Sequence, residues 1–155
     1  MKRSIIFLMC ILFILGSFVD AGELSFENFE KLITKNVVLA GFTLNKSRTF
    51  DMKSSFHVEF KGDEEKAEMI AITLFLKWDE FSKMDKLGKP ELYKFKDRPA
   101  LFSDGNKAGM ASFSLILKNK KGKLTINHRV FGGKFLGKAD LEKIVEKIGL
   151  KNLEK

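Results

Sequence analysis

Gly132-Gly133-Lys134-Phe135-Leu136-Gly137-Lys138-Ala139 carries the sharpest chemical signal in the chain. The segment spells G-x-x-x-x-G-K. In a phosphate-binding loop the glycines bring backbone N–H groups to phosphate oxygens, the lysine reaches the terminal phosphates, and a following Ser or Thr hydroxyl holds Mg²⁺. Here Ala139 stands in the hydroxyl position, and the flanking strands read as antiparallel, so the context of a nucleotide site is missing. A weaker anion site remains as an expectation, with Gly133, Lys134, Lys138 and the N-terminus of the last helix meeting a phosphate or carboxylate. The plainer alternative is a glycine turn feeding that helix.

The other reactive residue types are sparse. His57 and His128 both fall in alternating segments, and neither has an acid or third ligand at metal spacing. His57 is expected to face solvent opposite Phe56 and Val58, whereas His128 lies on the apolar side and reads as a satisfied core histidine. Ser112 and Ser114 sit in a strand pattern without a nucleophile elbow or a paired histidine. Carboxylates cluster in turns and helix starts, and no acid and base pair is recognisable. No catalytic set, metal ligand set or cofactor is therefore expected. A basic hairpin tip at Lys118, Lys120, Lys121 and Lys123 is the expected surface patch for an anionic partner.

The elements that must position these residues follow from periodicity. Ser25 is a good N-cap, Leu24 can staple onto Phe29, and Phe26, Phe29, Leu32 and Ile33 recur at helical spacing, which predicts a helix to about Lys35. Asn36 to Leu44 is ambiguous, with an apolar, β-leaning run broken at Gly41. From about Ser54 the period becomes two: Phe56, Val58 and Phe60 alternate with His57, Glu59 and Lys61. Ile70 to Trp78 predicts a long strand, with a helix from Glu64 as the alternative. A short helix is expected over Asp79–Lys86, strands at Leu92–Phe95 and Ala100–Ser103, and a tight loop at Asp104–Gly109. Ala111, Phe113, Leu115 and Leu117 alternate on one strand and Leu124, Ile126, His128 and Val130 on the next, flanking the clearest hairpin, Asn119-Lys120-Lys121-Gly122. Leu141, Ile144, Val145 and Ile148 form the stripe of a final helix that Gly149 ends. Helix, antiparallel strands, helix predicts an α+β domain: a twisted antiparallel sheet of about five to six strands with the N- and C-terminal helices packed on one face.

The chain begins with the zones of an export signal. Lys2 and Arg3 precede an apolar run from Ile5 to Leu15, and Val19-Asp20-Ala21 offers a cleavage site before Gly22. Residues 1–21 thus read as a signal peptide and 22–155 as one α+β domain; an uncleaved anchor is the competing reading, although the run is short for a bilayer span. Cys10, the only cysteine, lies inside the apolar run, so the remainder has no disulfide, thiolate nucleophile or Cys-based zinc site. Without residues 1–21, the 28 basic and 20 acidic residues become 26 and 19, and the net charge of +8 becomes +7. A basic exported protein, periplasmic or secreted, meets anionic envelope surfaces rather than nucleic acid. The expected function is a non-catalytic binding or accessory domain for a small apolar or amphipathic ligand or an envelope protein; the alternative is a hydrolase-like enzyme assembled from carboxylates and His128.

Overall fold

The computed structural model describes residues 24–50, 54–78, 80–83, 85–86, 90–105, 109–118 and 122–154. The expected signal peptide over residues 1–21 lies outside them, as do Lys120 and Lys121 of the hairpin tip. Helix α1 spans Phe26–Asn36; the Asn28 N–H donates to the Ser25 hydroxyl at 3.2 Å, so the serine closes the first turn as its type and place predict. Seven strands follow: β1 Thr43–Phe50, β2 Ser55–Lys61, β3 Met69–Phe75, β4 Glu91–Phe95, β5 Arg98–Ser103, β6 Ala111–Ile116 and β7 Lys123–Arg129. Helix α2, Lys138–Ile148, and the single turn α3, Leu150–Leu153, complete the domain.

The strands form one antiparallel sheet in the order β1-β2-β3-β7-β6-β5-β4. Cross-strand partners share a face, so the register sorts every side chain. One row runs Val58–Ile72–Ile126–Phe113–Phe102 across five strands. This row and its neighbours on the same face pack beneath α1, through Phe29 and Ile33, and α2, through Leu141, Ile144, Val145 and Ile148. Each of these helix side chains is buried, contributing about 1.5–3 kcal/mol when removed from water. The Phe56 ring ties sheet to helix, lying 5.8 Å from both Phe26 and Phe29.

Seven strands replace the expected five to six because β1 is an edge strand. It pairs with β2 alone and buries little, so its Thr-Leu-Asn-Lys-Ser-Arg-Thr-Phe sequence lacks the apolar alternation that reveals the inner strands. The long strand expected over Ile70–Trp78 ends at Phe75, and the alternative helix from Glu64 does not form. Ala67 N–H donates to the Glu64 carbonyl and Glu68 N–H to the Asp63 carbonyl, folding those residues into a turn before β3 begins. Among the described residues of 79–86 there is no helix; Ser82 and Asp85 instead bond each other locally, Ser82 N–H to the carboxylate at 2.7 Å and Asp85 N–H to the hydroxyl at 3.2 Å.

One connection governs what the sheet offers. By the alternation of the ladder, β3 and β4 run parallel, yet three strands separate them, so residues 76–90 must cross a face of the sheet. The helices occupy one face. Asp85 meets Lys123 on the other, which places that part of the connection beside the start of β7. On β1 the side chains of that face, Lys46, Arg48 and Phe50, are exposed.

Candidate binding face

The glycine-rich segment folds as a loop between β7 and α2, with Gly133 and Lys134 in one depression and Lys138 turned away from it. Gly133 and Lys134 line a shallow depression of about 310 Å³ together with Phe102, Asp104, Phe135, Leu136 and Gly137, and Asp104 brings a carboxylate into it. Lys138 points elsewhere: its Nζ donates to Glu91 Oε1 at 2.6 Å and sits 3.6 Å from the Tyr93 ring centroid. The Leu136 N–H is also taken, by His128 Nδ1 at 3.0 Å. Asp140 lies in the first turn of α2, where it already offsets the helix dipole.

The hairpin patch divides in the same way. Lys118 is exposed, with its backbone N–H donated to Glu154 Oε1 at 2.7 Å. Lys123 departs from its expected surface position: it is 2% exposed. Its register partners Phe75 and Ile116 place it on the face that 76–90 crosses, where Asp85 pairs with its ammonium at 2.5 Å and the Phe75 and Trp78 rings lie 5.0 and 4.9 Å from it. The pairing with Lys123 and bonds from Ser82 hold the Asp85 carboxyl below the usual range despite its partial burial.

His128 is fully buried on the helix-facing side and both ring nitrogens are engaged. Nδ1 accepts from Leu136 N–H, so Nε2 carries the proton and donates to Glu68 Oε1 at 3.0 Å. It thereby fastens the turn before β3 and the loop after β7 to the sheet.

His57 differs from expectation. It does lie opposite Phe56 and Val58, but its side chain is only 12% exposed. Nδ1 shares a hydrogen bond with Thr73 Oγ1 at 2.9 Å, and the Phe50 ring meets the imidazole edge-on at 5.5 Å. Nε2 is buried without a hydrogen-bond partner, 3.7 Å from Glu59 Oε2. Burial lowers the His57 pKa; Glu59 opposes that shift, and Arg48 and Lys46 reinforce it. Glu59 is itself held by the Asn45 side-chain amide.

These residues belong to a polar row on the open face, the one opposite the helices: Arg48, His57, Thr73, Thr125 and Ser114 are successive cross-strand neighbours on β1, β2, β3, β7 and β6, with Arg48 exposed and the last three buried. Ser114 and Thr125 hydroxyls bond at 3.1 Å. At the β1 end, Lys46 and Arg48 are exposed on the same face, two residues apart, with the Arg48 guanidinium 4.3 Å above Phe50. Among the described residues neither forms an ion pair, although Lys46 stands opposite Glu59 in the register. Sequence reading missed this constellation because it joins the unrecognised strand β1 to a histidine assigned to solvent. The one available signal was the Lys-x-Arg-x-Phe alternation at positions 46, 48 and 50.

Among the described residues no three His, Cys, Asp or Glu side chains gather at metal-binding distance, and no helix is long and apolar enough to cross a membrane. No family model, curated protein or solved structure matches the chain.

Proposed function

We propose that the protein is an exported, non-catalytic binding or accessory domain that holds an anionic envelope partner on the open face of its sheet. The observation that carries this reading is the pair Lys46 and Arg48, exposed and in no ion pair among the described residues, beside the half-buried His57. The helix-facing rows of the sheet are covered by α1 and α2, and at β1 the opposite face leaves exposed cations for a partner. A leader over residues 1–21 would deliver such a domain to the periplasm or the exterior, where anionic partners are abundant.

One observation favours a second reading, a hydrolase-like enzyme. Thr73, His57 and Glu59 stand in the order nucleophile, base and acid, with Thr73 Oγ1 at hydrogen-bond distance from the imidazole. Against it, the 3.7 Å from Nε2 to Glu59 exceeds a hydrogen bond and Thr73 is 7% exposed. Native mass spectrometry of the protein recovered from its own envelope separates the two readings. Binding predicts an N-terminus at Gly22 and a retained partner released by salt. Ester hydrolysis abolished by Thr73→Val would overturn it in favour of the enzyme.

A further inference from the structure

The outer edge of β1 goes one step beyond the charge of the open face, and the step rests on the reading of that face as the partner surface. We propose that β1 takes up an acidic, extended segment of a partner polypeptide as an additional strand, with the partner's carboxylates meeting Lys46 and Arg48.

β1 is an edge of the sheet, paired on one side with β2, and its eight residues are the longest run of any strand here. An edge strand presents unpaired N–H and C=O groups along its outer side, a template of about 26 Å at roughly 3.3 Å per residue. The opposite edge, β4, is five residues long, and its Glu91 and Tyr93 side chains are engaged by Lys138 and Glu142.

Charge selects the occupant of β1. Lys46 and Arg48 are i and i+2, hence on one face, the open one. A second copy of β1 laid antiparallel would set these cations against their own counterparts, and like charges directly opposite destabilise a pair. An acidic strand sets carboxylates there instead, and Arg48 is already braced over Phe50. The helix-facing side of β1 has the opposite preference: Ser47 donates its hydroxyl to Glu30, whose carboxylate lies along that side. The partner's acids must therefore alternate, pointing to the open face, with uncharged residues between them. The bulge between Leu44 and Lys46 turns the strand before this stretch, so the favoured register lies over Lys46–Phe50.

The test uses the full chain and synthetic octapeptides. A peptide alternating glutamate and valine is expected to bind in low salt and to slow amide exchange across β1 by about tenfold or more. A glutamate–valine peptide N-methylated at every residue has equal charge but no amide donors to pair, and it is expected to leave exchange in β1 unchanged. The double variant K46E/R48E, both positions being exposed, should lose the glutamate–valine peptide and bind a lysine–valine peptide instead. Equal binding of the N-methylated peptide overturns strand addition. So does binding that maps to Lys118 or Lys134, or that K46E/R48E leaves intact. Attachment to phosphatidylglycerol vesicles that needs Lys46 and Arg48 without protecting β1 amides would assign the face to a lipid surface and overturn it as well. If peptides and vesicles alike fail to bind anywhere, the partner reading of the open face falls too; binding away from β1 removes only the strand proposal.

Discussion

At the scale of single residues, His57 is the group whose chemistry depends most on its surroundings. Burial disfavours its charged form, so its folded-state pKa lies below the ordinary 6.5. The unfolded chain then binds the proton more readily between those two values, and stability rises with pH across that window. Acidifying from above 6.5 should therefore remove stability until the folded-state pKa is passed. His57→Gln, which keeps an amide to bond Thr73, should flatten this dependence in urea unfolding followed above and below 6.5. A wild-type profile unchanged by the substitution would assign the pH dependence to another group. His128 makes the contrast: both nitrogens are bonded and both neighbours are structural segments, so its position in the apolar alternation was sufficient to read it.

At the scale of elements, glycine marks where strands crowd. Gly122 opens β7 at φ +135, and a Cβ there would lie 2.2 Å from the Phe75 carbonyl oxygen of β3. The hairpin was legible from its turn residues, but the reason its glycine is needed is a strand distant in sequence. Gly122→Ala should destabilise the domain by about 1–3 kcal/mol in denaturant, because both the backbone conformation and the neighbouring strand must shift. If the midpoint is unmoved, the approach of β3 to this turn is looser than the geometry indicates. The helices are the opposite case. Ser25, the α1 stripe and the α2 stripe ending at Gly149 are local signals, and the elements form where those signals lie.

The crossing of residues 76–90 is a property of the whole molecule. Lys123 and Asp85 are far apart in the chain, and their pairing under Trp78 fastens the connection to the face it crosses. Trp78 is the sole tryptophan, which makes it a direct reporter. Lys123→Met should leave Asp85 without its cation, destabilise the fold by about 1–3 kcal/mol and shift Trp78 emission to longer wavelength as the connection loosens. An unaltered emission spectrum with unaltered stability would mean that other contacts hold the crossing. The same pair accounts for the failure of the hairpin patch as a single surface: a lysine in a run of lysines looks solvated until a crossover brings it an acid.

The sequence by itself determined the α+β class, the two helices and their buried stripes, and the inner strands, since each rests on a periodicity within a few neighbouring residues. It determined as well that His128 belongs to the core. Only the tertiary structure decided that Thr43–Phe50 is a strand, because an edge strand needs a partner on one side only and buries too little to alternate. Only the tertiary structure placed Lys138 on Glu91 and Tyr93, buried Lys123 against Asp85, and brought Lys46 and Arg48 alongside His57. Each of these depends on strand order and register, which set contacts between residues far apart in the chain and leave no local pattern to read.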